Sequence, residues 1–130
     1  MPIAKLTVSN RFFLAQYVKP LIEALPGLIV RHLGLPGTKA ELVVGDVECE
    51  IIRAQSLGYW GVTTSVQEVD FKIVIEANDY RERRDILEVG TKRIEEALRQ
   101  FIPADATAYI WVRLMEGFYM PIQCGQRPLL

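Results

Sequence analysis

Pro2-Ile3-Ala4-Lys5-Leu6-Thr7-Val8-Ser9-Asn10-Arg11 is the stretch on which the fold turns. Pro2, Ala4, Leu6 and Val8 fall on one side, and Ile3, Lys5, Thr7 and Ser9 on the other. That period of two predicts a β-strand. Asn10 then offers a helix N-cap. From Phe12 to about Leu33 the apolar residues Phe13, Tyr17, Leu21, Leu25, Leu28, Ile29 and Leu33 recur at helical spacing. Pro20 should kink this helix, and Pro26-Gly27 is a second weak point where it could break. Gly34, Pro36 and Gly37 end it.

The same unit returns later in the chain. Residues 40–52 read as a strand with a bend or bulge at Gly45-Asp46. Ala54 to Val69 reads as a loop or hairpin containing Tyr59 and Trp60. Phe71-Lys72-Ile73-Val74-Ile75-Glu76-Ala77-Asn78 is the clearest strand. Asp79 is the expected cap of a helix reaching about Phe101, with Ile86, Val89, Ile94, Leu98 and Phe101 on its buried face. Glu88 and Lys92 stand in the favourable i,i+4 order. Ala108 to Met115 alternates again, and Phe118 to Cys124 reads as a last short edge strand. The order is β-α-β, linker, β-α-β, a tandem repeat. It predicts one domain over 1–130, with halves at about 2–60 and 71–123. The fold class is α+β: a four-stranded mixed sheet covered on one face by two helices, with extra short edge strands. The other face carries Lys5, Thr7, Tyr109, Trp111 and Arg113, and would be closed by symmetric association.

Bulk composition narrows the function. The 130 residues carry fifteen basic and sixteen acidic side chains, a net charge of −1. No basic excess suggests a nucleic-acid groove. Ten of the fifteen bases are arginine, which suits anionic small molecules. Cys49 and Cys124 lack metal or disulfide-framework spacing. His32 is the sole histidine, so a histidine triad or multi-histidine metal centre is excluded. Neither a metal nor a cofactor is expected. No apolar run has transmembrane length and no signal peptide is recognisable, so the expected compartment is the cytoplasm.

Pro2 has a chemistry of its own. Removal of Met1 would leave its nitrogen as a secondary amine. Burial and neighbouring cations both disfavour the charged form of an amine, and so poise it as a base near neutral pH. The alternative is that Pro2 merely permits methionine removal.

The opening Pro-Ile-Ala-Lys-Leu, the repeat, Leu35-Pro36-Gly37-Thr38 and the glycine-aromatic Gly58-Tyr59-Trp60-Gly61-Val62 together resemble the tautomerase superfamily. That family includes 4-oxalocrotonate tautomerase, 5-carboxymethyl-2-hydroxymuconate isomerase and macrophage migration inhibitory factor. Arg11 follows Pro2 by nine residues and Arg81 follows Phe71 by ten, close to the ten-residue spacing of the short members. Where those members place a strand arginine, this chain has Glu41 and Tyr109.

The resemblance implies a tautomerase or isomerase with Pro2 as general base on a small 2-oxo or 2-hydroxy acid. Arg11, Arg81, Tyr109, Arg113 and Trp60 are then the expected substrate-binding residues. The assembly would be a homotrimer with neither nucleic acid nor membrane as partner. A decarboxylase or hydratase would use the same amine in its protonated form. Two alternatives share the element order: a non-catalytic trimeric binding module of this fold, and a ferredoxin-like ligand-binding domain. The ferredoxin-like order would pair the strands of each half through the other half.

Overall fold

Alternation in the first strand and in the fifth is what builds the sheet. A computed structural model describes residues 2–54, 58–60, 67–117, 120 and 122, with backbone alone at 58–60 and 67–68. The strands are β1 (Ile3–Val8), β2 (Glu48–Arg53), β3 (Gly58–Trp60), β4 (Gln67–Val69), β5 (Phe71–Asn78) and β6 (Ala108–Met115). The helices are α1 (Ala15–Leu33) and α2 (Arg81–Leu98). The main sheet has the order β2-β1-β5-β6, and β3 and β4 pair as a separate ribbon. β1 lies parallel to β2 and β5 parallel to β6, while the halves meet antiparallel along β1 and β5. Each half therefore pairs its own strands side by side across a helical crossover. This order overturns the ferredoxin-like alternative.

Ala4, Leu6 and Val8 of β1 and Phe71, Ile73, Ile75 and Ala77 of β5 point into the core. Val18, Leu21, Leu25, Ile29 and Leu33 meet them from α1, and Ile94 and Leu98 from α2. Each of the large side chains gains about 1.5–3 kcal/mol from leaving water. Among the described residues no helix is long and apolar enough to cross a membrane.

Several sequence expectations change in the structure. α1 starts at Ala15 rather than Phe12, because Asn10–Phe12 form a tight 3-10 turn and Leu14 is extended. Phe12 is instead buried edge-on to Tyr17, with ring centroids 5.2 Å apart. Asn10 does not cap α1; its side-chain oxygen accepts from Arg53 Nε at 2.7 Å. α1 runs unbroken through Pro20 and Pro26. The buried stripe holds it on both sides of each proline, so packing offsets the two missing helix hydrogen bonds. β2 begins at Glu48, not at residue 40, because Val44–Asp46 form a turn in which the Asp46 carboxylate accepts the Val43 N–H at 2.9 Å.

In the second half, Tyr80 occupies the N-cap of α2 and makes no side-chain cap bond. Asp79 pairs with Arg84 at 3.0 Å instead. Val89 is 56% exposed, while Leu87 packs on the core and Gly90 is buried. A Cβ at Gly90 would overlap the His32 carbonyl oxygen, so glycine is what lets the end of α1 rest on α2. The Glu88–Lys92 pair forms, at 3.4 Å. The expected edge strand from Phe118 to Cys124 lies outside the described residues.

Lys5, Thr7, Tyr109, Trp111 and Arg113 share the sheet face away from the helices, as the alternation predicts. Glu76 sits among them, 2.9 Å from Lys5 Nζ and 2.6 Å from Arg113 Nη2. Those two bonds hold its carboxyl below the usual range. Trp111 is 63% exposed on this face.

Candidate active site

The start of β1, the end of β5, the turn after α1 and the first turn of α2 converge at one end of the sheet. Pro2 is fully buried there, and its carbonyl accepts the Glu48 N–H at 3.0 Å. Beside it opens a cavity of about 380 Å³, lined also by Lys39, Glu41, Leu42, Asp46, Asn78, Tyr80 and Arg83. Two cations and two carboxylates thus share the wall with Pro2.

Arg83 organises this end. It is 2% exposed and makes three hydrogen bonds to backbone carbonyls. Nε donates to Leu33 O at 2.9 Å, Nη1 to Asn78 O at 2.8 Å and Nη2 to Ala40 O at 3.1 Å. One guanidinium therefore ties the end of α1, the turn after it and the end of β5 around the cavity. Burial lowers its pKa from the ordinary arginine value, and Tyr80 acts in the opposite sense. The Tyr80 ring lies 5.5 Å from the guanidinium carbon. Arginine alone has the planar fork that serves three carbonyls at once.

The sequence pointed to Arg81 rather than Arg83. Arg81 is exposed and does not line the cavity. The signal for Arg83 was periodicity: positions 83, 87, 90, 94 and 98 form one helical stripe, which turns Arg83 inward with Ile94 and Leu98.

Arg11 lies at the far end of β1, about 20 Å from Pro2 by strand rise. Its Nε and Nη2 clasp Asp70 at 3.1 and 3.0 Å. Asp70 also accepts from the Ser9 hydroxyl at 2.8 Å and the Thr107 N–H at 3.0 Å. Burial pushes the Asp70 pKa up, but those bonds outweigh it and the carboxyl lies below its ordinary value. Tyr109 and Arg113 lie on β6, and Tyr109 borders a separate, largely apolar cavity of about 300 Å³. The side chain of Trp60 is outside the described residues. Within one chain, Pro2 is thus brought together with Lys39 and Arg83, whereas Arg11, Arg81, Tyr109 and Arg113 stand outside its cavity.

No family model matches the chain, and no curated protein matches it significantly. Solved structures do. A macrophage migration inhibitory factor-like protein from Entamoeba histolytica superposes with a TM-score of 0.56 at 17% identity, over 89% of this chain and 90% of that one. Macrophage migration inhibitory factor MIF2 of Leishmania major gives 0.52 at 17% identity, over 91% and 93%. Pt0534, captured after inactivation by 2-oxo-3-pentynoate, gives 0.56 at 13% identity, over 95% and 93%. The chain has the fold of the tautomerase and macrophage migration inhibitory factor superfamily.

Proposed function

We propose that this chain is a small tautomerase or isomerase in which Pro2, freed by removal of Met1, moves a proton on a 2-oxo or 2-hydroxy acid. The observation that carries the reading is Pro2 buried in the wall of a cavity that two cations also line. Burial and the charges of Lys39 and Arg83 both favour the uncharged amine. That amine takes a proton from the carbon next to a carbonyl, or from an enol hydroxyl. The resulting ammonium returns it at another carbon. Lys39, exposed at the rim, holds the substrate carboxylate, and the fixed positive charge of Arg83 offsets the negative charge of the enolate. The inactivation of Pt0534 by a 2-oxo acid supports this substrate class.

Arg11, Tyr109 and Arg113 enter this reading from a neighbouring protomer of a homotrimer closed on the bare sheet face. Arg81 and Trp60 would complete the rim. The decisive test is Pro2→Ala, assayed with phenylenolpyruvate and 2-hydroxymuconate. A loss of about 100-fold or more in kcat/KM is expected, the usual scale for a general base. Wild-type rates in that variant end the reading. A decarboxylase or hydratase would instead show activity falling as the amine loses its proton with rising pH.

A second reading has its own support. Glu41 and Asp46 share the cavity wall and disfavour an anion. Arg83 already serves three carbonyls. These features suit a non-catalytic trimeric binding module. Under it Met1 removal is immaterial, and neither substrate is turned over.

A further inference from the structure

On the outer surface of the helix layer, the end of α1 crosses α2 at Gly90. The absent side chain there lets the two helices approach until their own residues share one groove. The groove encloses about 490 Å³. Arg31 and His32 reach it from α1, and Arg93 and Asp85 from α2. Arg31 and Arg93 are exposed, and neither forms an ion pair among the described residues. Both guanidinium charges act on the His32 imidazole and disfavour its protonated form, so the groove is positive without an anion in it. Among the described residues Asp85 is the one carboxylate in the lining and leaves it with a net positive charge.

The wall is apolar as well as basic. Ile86 is half-buried, and Val89 is 56% exposed, although both fit the apolar spacing of the helix. Scattered apolar residues are ordinary on a surface. Here they flank a cationic cluster inside one concave site, which is the usual make-up of a small-molecule pocket.

We propose that this groove binds a phosphate monoester with an apolar body. The phosphate would sit between Arg31, Arg93 and His32, and the body against Ile86 and Val89. A phosphate dianion offers three terminal oxygens, enough for both guanidinium forks and one imidazole N–H. A carboxylate has only two. Burial lowers the His32 pKa, and the charges of Arg31 and Arg93 lower it further. An anion seated among the three would reverse the charge part of that shift, so the imidazole reports occupancy.

His32 is the only histidine, which makes the measurement simple. The full chain is titrated with 1-naphthyl phosphate while the His32 imidazole signals are followed by NMR. 1-Naphthoate is run in parallel. A saturable shift with the phosphate is expected, at least about tenfold weaker in the Arg31→Ala/Arg93→Ala double variant. Both arginines are exposed, so that variant should keep the fold, which its thermal unfolding checks. The absence of a saturable shift in the wild type overturns the proposal, as does equal affinity in the double variant. Binding of 1-naphthoate as tightly as the phosphate overturns it too.

Discussion

Arg83 shows how one side chain can set a site while facing away from solvent. Its three hydrogen bonds go to carbonyls on three different segments. Replacing it with methionine keeps the apolar stem but leaves those carbonyls without a donor. A loss of about 3 kcal/mol is expected in urea unfolding, because buried acceptors stripped of partners cost about 1–3 kcal/mol each and the segments can partly relax. Arg83→Lys should recover only part of this, since an ammonium lacks the fork. Asp70 does comparable work at the opposite end of the sheet. Its folded pKa lies below the unfolded one, so its contribution to stability is complete above the unfolded value and fades as pH falls through the folded value. Stability measured downward from about pH 5 should therefore fall less steeply in Asp70→Asn than in the wild type. Both residues are charged and were hard to place from sequence alone. Arg83 betrayed itself only through the helical stripe, and Asp70 not at all. Its partners Ser9 and Arg11 are 61 and 59 positions away, so only the folded chain brings them together.

At the scale of elements, alternation was the readable part. β1, β5 and β6 stand where period two placed them, because each presents one face to the helices and one away. Boundaries were less readable. β2 starts late because a side-chain turn at Asp46 competes with strand pairing. α1 survives two prolines because five buried residues hold it in place. Val89 fits the apolar pattern of α2, yet it faces water because the closest helix contact falls at Gly90. That contact makes a prediction. Gly90→Ala should destabilise the chain by about 1–3 kcal/mol, since the added methyl meets backbone that can move only if the helices part. Thermal unfolding reads the change. A control such as Gly27→Ala, with open space around its Cβ position, should show no such loss.

At the scale of the whole molecule, the two faces of the sheet differ. One is sealed by the helices. The other carries an exposed Trp111, a half-buried Tyr109 and the Lys5–Glu76–Arg113 cluster. A homotrimer closed on that face predicts a sedimentation mass three times the 14.8 kDa of the chain. Trp111→Glu would place an unpaired charge in the contact and shift the mass toward one chain; unchanged trimer mass would exclude Trp111 from the interface. The substrate-binding roles proposed for Arg11, Tyr109 and Arg113 would require this closure, because in one chain none of them lines the Pro2 cavity.

The proposed chemistry requires Pro2 to be a free amine poised as a base. Its nitrogen can be followed directly by 15N NMR in protein labelled at proline. A single titration near neutrality, at about pH 6–8, is expected in a protein whose intact mass lacks Met1. A nitrogen that does not titrate at all, still joined to Met1 as an amide, would contradict it.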